Sequence, residues 1–162
     1  MTTSPDLRFL LRHPAHFIAL GFGSGLAPRA PGTFGTLVGL PLFALLTALP
    51  EPAHLPLIAL LFVIGVPICT RTGTALGVAD HGSIVWDEIV AMLLVLEFAP
   101  RTWLWWLVAF GLFRLFDIWK PAPIRQCDAR LKGGFGVMFD DLLAALFAIC
   151  AMKGLQWLML LS

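Results

Sequence analysis

Five apolar stretches, Thr36–Leu49, Leu55–Cys69, Ile89–Pro100, Thr102–Phe116 and Leu142–Leu161, are joined by linkers of two kinds. Glu51-Pro-Ala-His54 and Ala99-Pro-Arg101 are very short, whereas Gly21–Gly35, Thr70–Ser83 and Trp119–Asp140 are long, polar and rich in glycine. Hydrophobic residues make up 59% of the chain and charged residues 13%, against roughly 45–50% and about 25% in ordinary soluble domains. This pattern predicts an all-α, polytopic integral membrane bundle, a single domain over residues 1–162.

Only Leu142–Leu161 reaches the roughly 20 residues that cross a hydrocarbon core unaided. The other stretches borrow flanking residues such as Phe34 or Ile84-Val85-Trp86, or enter without crossing. Pro41, Pro56 and Pro67 make the first pair short or re-entrant. Upstream, Leu7–Leu20 is interrupted by Arg8, Arg12, His13, Pro14 and His16. That spacing argues against a cleaved signal peptide and for an interfacial helix over residues 1–20. A net charge of +1 with interspersed signs excludes a nucleic-acid footprint. Cys69, Cys127 and Cys150 are too scattered for a disulfide framework or a zinc site.

Orientation follows from the basic residues. Lys120, Arg125, Arg130 and Lys132 share one linker, which the positive-inside rule assigns to the cytoplasm. Counting crossings from there brings all three long linkers to the cytoplasmic face and both short turns to the other. A re-entrant first pair leaves that result unchanged. Trp103, Trp105, Trp106 and Trp157 then fall near the outer boundary, and Trp86 and Trp119 near the inner one. Seven of the ten acidic residues lie in or beside these long linkers: Asp80, Asp87, Glu88, Asp117, Asp128, Asp140 and Asp141. Carboxylates beside membrane-length apolar segments are costly, which makes the cluster a functional candidate.

Three constellations carry the chemistry. In Gly21–Thr36, backbone N–H groups of a glycine-rich loop opening a helix can face a phosphate, with Gly32, Thr33 and Arg29 beside it. Thr33 and Thr36 could cap that helix, and Gly39 reads as helix packing. In Asp80–Glu88, a helix from Ser83 would set Asp87 and Glu88 at the membrane boundary. An acidic first turn favoured by the helix dipole is the plainer explanation. In Phe113–Asp141, Arg114, Asp117 and Lys120 follow one helix edge, and a self-neutralising ion-pair ladder would also explain them. Pro121 and Pro123 force an extended exit. Gly133-Gly134-Phe-Gly136 reads as a second phosphate-binding loop, and Asp140-Asp141 as the opening of the last helix. Carboxylates without cysteine or histidine partners make a hard-oxygen site suited to Mg²⁺. Basic residues beside it suit a phosphate.

These blocks resemble the phosphatidylglycerophosphatase A family of bacterial Mg²⁺-dependent lipid phosphatases. The match is carried by Gly23-Ser-Gly25, Ala30-Pro31-Gly32-Thr33-Phe34-Gly35-Thr36, Ile84-Val85-Trp86-Asp87-Glu88, and Phe113 through Asp141. Ala144-Ala145 departs from it where a glycine is expected. The resemblance implies an enzyme of the bacterial inner membrane, its site facing the cytoplasm, that converts phosphatidylglycerophosphate to phosphatidylglycerol. It implies metal ligands and a water activator among Asp87, Glu88, Asp117, Asp128, Asp140 and Asp141, with Asp80 outlying. Asp87, Asp117, Asp128 and Asp140 are the catalytic candidates. Lys120, Arg125 and Arg130 would hold phosphate oxygens, joined by Arg29, Gly32, Thr33 and Gly134. Asp117→Asn and Asp128→Asn should both abolish phosphate release. The alternatives are a CDP-dependent phosphatidyltransferase and a divalent-cation carrier. An oligomer is compatible with the sequence and not specified by it.

Overall fold

The computed structural model describes residues 4–161. Residues 1–3 of the expected interfacial segment, and Ser162, lie outside the described residues. Among those described there is no strand, and the chain forms α1 (Leu7–Leu11), α2 (Pro14–Ala19), α3 (Pro31–Leu46), α4 (His54–Leu76), α5 (Trp86–Glu97), α6 (Trp103–Trp119), α7 (Ile124–Arg130) and α8 (Gly133–Leu161). Short 3₁₀ turns lie at Gly21–Leu26 and Glu51–Ala53.

The expected single N-terminal helix is two. Pro14 begins a new helix at its first position, where a missing N–H costs nothing, and the His13 ring accepts from the Ala15 N–H at 3.0 Å. The second piece does not present a basic face to headgroups. His16 is buried, bonded to Thr72 of α4 at 3.0 Å and stacked on Phe9. Burial first, then the charges of His13, Arg71 and Arg12, pull its pKa below the usual histidine value.

α4 corrects the second expectation. Pro67 does not end it; the helix runs for 23 residues through Thr70, Arg71 and Thr72, and Gly77 closes it at a φ of 78°. Thr70 and Thr74 donate their hydroxyls to the carbonyls of Val66 and Thr70, so these polar residues satisfy themselves inside the helix. The linker read as Thr70–Ser83 is correspondingly shorter. α8 likewise begins at Gly133, not Leu142, and extends for 29 residues. The segments Glu51–Leu76 and Gly133–Leu161 are both long and apolar enough to cross a membrane, by length and composition; α3 is shorter. Trp86 is also not an interfacial anchor: it is buried and donates to the Leu61 carbonyl at 3.3 Å.

α5 is the centre. Its apolar residues are buried nearly all round, and α3, α4, α6 and α8 pack about it. A helix apolar on every side has to be enclosed in this way. Close approach depends on bare glycines. On α3, Gly35 faces Val85 and Gly39 faces Met92. On α8, the Gly134 N–H donates to Thr70 Oγ1 at 3.1 Å, and a Cβ there would overlap the Val66 carbonyl. Gly134 therefore belongs to a helix–helix contact, not to a phosphate loop. Gly134→Val should lower the melting temperature in detergent, at a cost of about 1–3 kcal/mol for an overpacked contact; an unchanged melting temperature would refute this role.

Candidate active site

Four helix ends converge on one acidic centre. α5 begins at Trp86, after Val85 has bonded its N–H to the Ala19 carbonyl, so Asp87 and Glu88 occupy the first turn. α3 arrives beside them. Its N-cap is Ala30, in the left-handed region at φ 50° and ψ 50°, followed by Pro31. Neither Thr33 nor Thr36 caps it; the Thr36 hydroxyl instead donates to the Gly32 carbonyl at 2.8 Å. A Cβ at Gly32 would overlap Glu88 Oε1 and stand 3.2 Å from Arg114 Nη1. The carboxylate and the guanidinium thus meet over bare backbone.

α8 supplies Asp140 and Asp141 from its third turn rather than its opening, and both are buried. α6 supplies Arg114 and Asp117, and its C-cap is Lys120. Single carboxylate oxygens of Asp87, Glu88 and Asp141 lie within 4.8 Å of one another. Arg114 donates to Asp117 and reaches Glu88 at 3.9 Å. The charge of Asp117 acts on both Glu88 and Asp141. Next to this group, Lys120 Nζ donates to Asp140 at 2.5 Å and lies 3.3 Å from Asp128. Burial alone would lower the Lys120 pKa; its bond to Asp140 and the charges of Asp140, Asp128 and Asp141 outweigh that and raise it.

One oxygen each of Asp87, Glu88, Asp140 and Asp141 is buried without a hydrogen-bond partner. Buried carboxylate oxygens are ordinarily satisfied, and like charges this close repel unless a cation is shared. Among the described residues, neither Arg114 nor Lys120 forms an ion pair with Asp87 or Asp141. The donor set is all oxygen, so these residues fit a hard divalent cation such as Mg²⁺.

The sequence-predicted residues divide accordingly. Asp87, Glu88 and Asp141 form the centre, Asp117 joins it through Arg114, and Asp140 and Asp128 meet across Lys120. Asp80, Arg29, Arg125 and Arg130 are exposed, with no ion pair among the described residues. Thr33 lies in the first turn of α3, and Gly32 beside it touches the centre. After Lys120 the chain turns into α7 instead of extending, which carries Arg125 and Arg130 outward on a short helix. Arg114 is the residue that the sequence undervalues. Its signal is the three-residue spacing to Asp117, which reads equally well as a surface ladder.

The family model for phosphatidylglycerophosphatase A matches residues 17–156, from α2 to the last turns of α8. The chain belongs to the phosphatidylglycerophosphatase A family. A phosphatidylglycerophosphatase A of Haemophilus influenzae is 47% identical over 159 residues, covering 97% of this chain and 98% of that protein. The phosphatidylglycerophosphatase A of Escherichia coli is 43% identical over 142 residues, covering 87% and 83%. A Bacteroides thetaiotaomicron protein provisionally named a phosphatidylinositol-3-phosphatase is 37% identical over 148 residues, covering 86% and 92%. No solved structure gives a significant match. The stretch matched to phosphatidylglycerophosphatase A contains every residue of the acidic centre.

Gly32→Ala should cut turnover about 10–100-fold, the usual cost of displacing a group that orients a metal ligand, while far-UV circular dichroism stays unchanged. Wild-type turnover in this variant would show that the contact between Gly32 and Glu88 does not position the carboxylate.

Proposed function

We propose that this chain, a lipid phosphatase by family, hydrolyses the terminal phosphate monoester of phosphatidylglycerophosphate to phosphatidylglycerol. The observation that carries the reading is the meeting of Asp87, Glu88 and Asp141 beside Arg114, with Lys120 on the adjoining Asp140. Mg²⁺, held by these three with Asp117 and Asp140 adjoining, would supply Lewis-acid polarisation of the phosphoryl group.

The chain's own groups account for the remaining requirements. Arg114, which reaches Glu88, and Lys120, which holds the adjoining Asp140, would hold phosphoryl oxygens, the guanidinium by a planar fork. Both are already paired with carboxylates, while Asp87 and Asp141 have no cation among the described residues and so carry the excess negative charge that a divalent ion would offset. In hydrolysis, a water oxygen bonds to phosphorus as the bond to the glycerol oxygen breaks. A carboxylate of the centre takes the water's proton, and the departing glycerol oxygen takes one from solvent water, to which the carboxyl later returns its own.

The proposal places the protein in the bacterial inner membrane as a multi-pass bundle with this centre at the cytoplasmic side. Lys120, Arg125, Arg130 and Lys132 adjoin the centre in one connection, which supports that orientation. α4 and α8 supply lengths that can span. A cysteine at exposed position 126 should be labelled only from the cytoplasmic side in spheroplasts; labelling from outside would reverse the orientation.

Purified protein in detergent should release phosphate from phosphatidylglycerophosphate, lose that activity in EDTA and regain it with Mg²⁺, with no effect of an added CDP-linked lipid. Asp87→Asn, Asp117→Asn and Asp141→Asn should each lower kcat by about 100-fold or more. Asp128→Asn, whose partner Lys120 keeps Asp140, should lose less. Near-normal turnover in Asp87→Asn and Asp141→Asn would remove the site.

A further inference from the structure

Between α4, α5 and α8 lies a cavity of about 360 Å³ whose walls are almost wholly apolar. Ile58, Ala59 and Phe62 of α4, Val90 and Leu94 of α5, and Met138 of α8 line it. The exception is Asp87, which closes one end. Asp87 is 92% buried, and its Oδ1 has no hydrogen-bond partner. The same side chain therefore belongs to the acidic centre and to the greasy cavity.

We propose that this cavity is the seat of one acyl chain of the lipid substrate, aligned so that the headgroup of the same molecule lies at the acidic centre. The assignment rests on the lipid phosphatase reading and adds where the tail goes. Three features support it. Asp87 both lines the cavity and belongs to the acidic centre. From Asp87 to Leu94 it follows α5 for seven residues, roughly 10 Å at the helical rise, away from the charged groups. It also opens sideways, because Leu55 and Val63 at its margin are 45% and 63% exposed, so a chain can enter from the bilayer without leaving apolar surroundings.

A helix from a second copy is the competing occupant, and labelling of the groove by the tail of the substrate would exclude it. Cavities of this size normally take small ligands and present few, well-placed polar groups. The gain from seating the tail is orientation, since a chain moving from lipid to an apolar groove changes little in hydration. Tethering the headgroup through its own tail lowers the entropy lost when the phosphate is positioned.

The test uses full-length protein in vesicles and two readouts. Ala59 lines the groove and is exposed, so Ala59→Trp fills the groove without displacing a buried side chain. It should raise KM for long-chain phosphatidylglycerophosphate about tenfold or more, leaving release from the acyl-free headgroup compound within about twofold. Leu104→Trp, on an exposed face of α6 away from the groove, is the matched control and should alter neither. A phosphatidylglycerophosphate with a diazirine in its tail should label the α4 peptide containing Ala59 and Phe62, in competition with unlabelled substrate. Equal losses on both substrates, or labelling elsewhere, would overturn the proposal. So would equal labelling by a diazirine-tailed phosphatidylcholine, which would make the groove a site for bulk lipid. Should the wild type release no phosphate from either compound, the functional reading fails while the labelling still decides the groove. If Ala59→Trp does not fold, Ala59→Leu and the labelling of wild type decide between the same two outcomes.

Discussion

Carboxylates brought together inside an apolar helical bundle repel one another and lose their hydration, and the arrangement around them follows from how that cost is met. Asp87 and Glu88 arrive from the first turn of α5, Asp141 from the third turn of α8. Arg114 offsets Asp117 and Glu88, and Lys120 offsets Asp140 and Asp128. What remains is a set of buried oxygens with no partner on Asp87, Glu88, Asp140 and Asp141. Breaking a buried charge set by removing one partner costs several kcal/mol, and such an open set is the chemical fit for a hard cation. On the proposed reading, a divalent ion would share these oxygens and a phosphate would meet the two cations.

The packing serves that convergence. Glycines at 32, 35 and 39 let α3 lie against the start of α5, and Gly134 lets α8 lie against α4. The opposite end of the bundle carries its own polar fastening. His54, at the head of α4, bonds Glu97 at the foot of α5 and the Leu49 carbonyl, each at 3.0 Å. Arg101 joins Glu97 at 3.2 Å and lies over the Phe43 ring. α5 is only about 18 Å long by its rise, so a fastening at one end fixes the register of the acids at the other. The two short turns, which look featureless in the sequence, are therefore where α4 and α5 are locked together.

Some of this is legible in the residues and some is not. Alternating short and long linkers give the antiparallel order and the end of the bundle where acids gather, because composition alone separates apolar runs from polar ones. Helix boundaries are harder. Thr70, Arg71 and Thr72 look like a linker, yet α4 runs through them, with Thr70 and Thr74 bonded to carbonyls of the helix and Thr72 to His16. Gly133–Gly136 looks like a flexible loop, yet Gly134 is pressed against Val66 and Thr70 and Gly136 against Leu131, neighbours that a single sequence does not display. The same blindness explains Arg114 and Gly32. One reads as part of a surface ladder and the other as a loop glycine, and only the approach of α3 to α6 shows that both touch Glu88. Arg29, Arg125 and Arg130 stand out for charge near the right segments; the turn into α7 and the left-handed Ala30 direct them elsewhere.

The central claim is that Asp87, Glu88 and Asp141 share one divalent ion. Titration of purified wild-type protein with Mn²⁺, followed by electron paramagnetic resonance, tests it directly. The account predicts at least one bound Mn²⁺ that Mg²⁺ displaces, and loss of that signal in Asp141→Asn although the protein stays folded. Wild-type protein that binds no Mn²⁺, or an Asp141→Asn variant that binds it as tightly, would contradict the account.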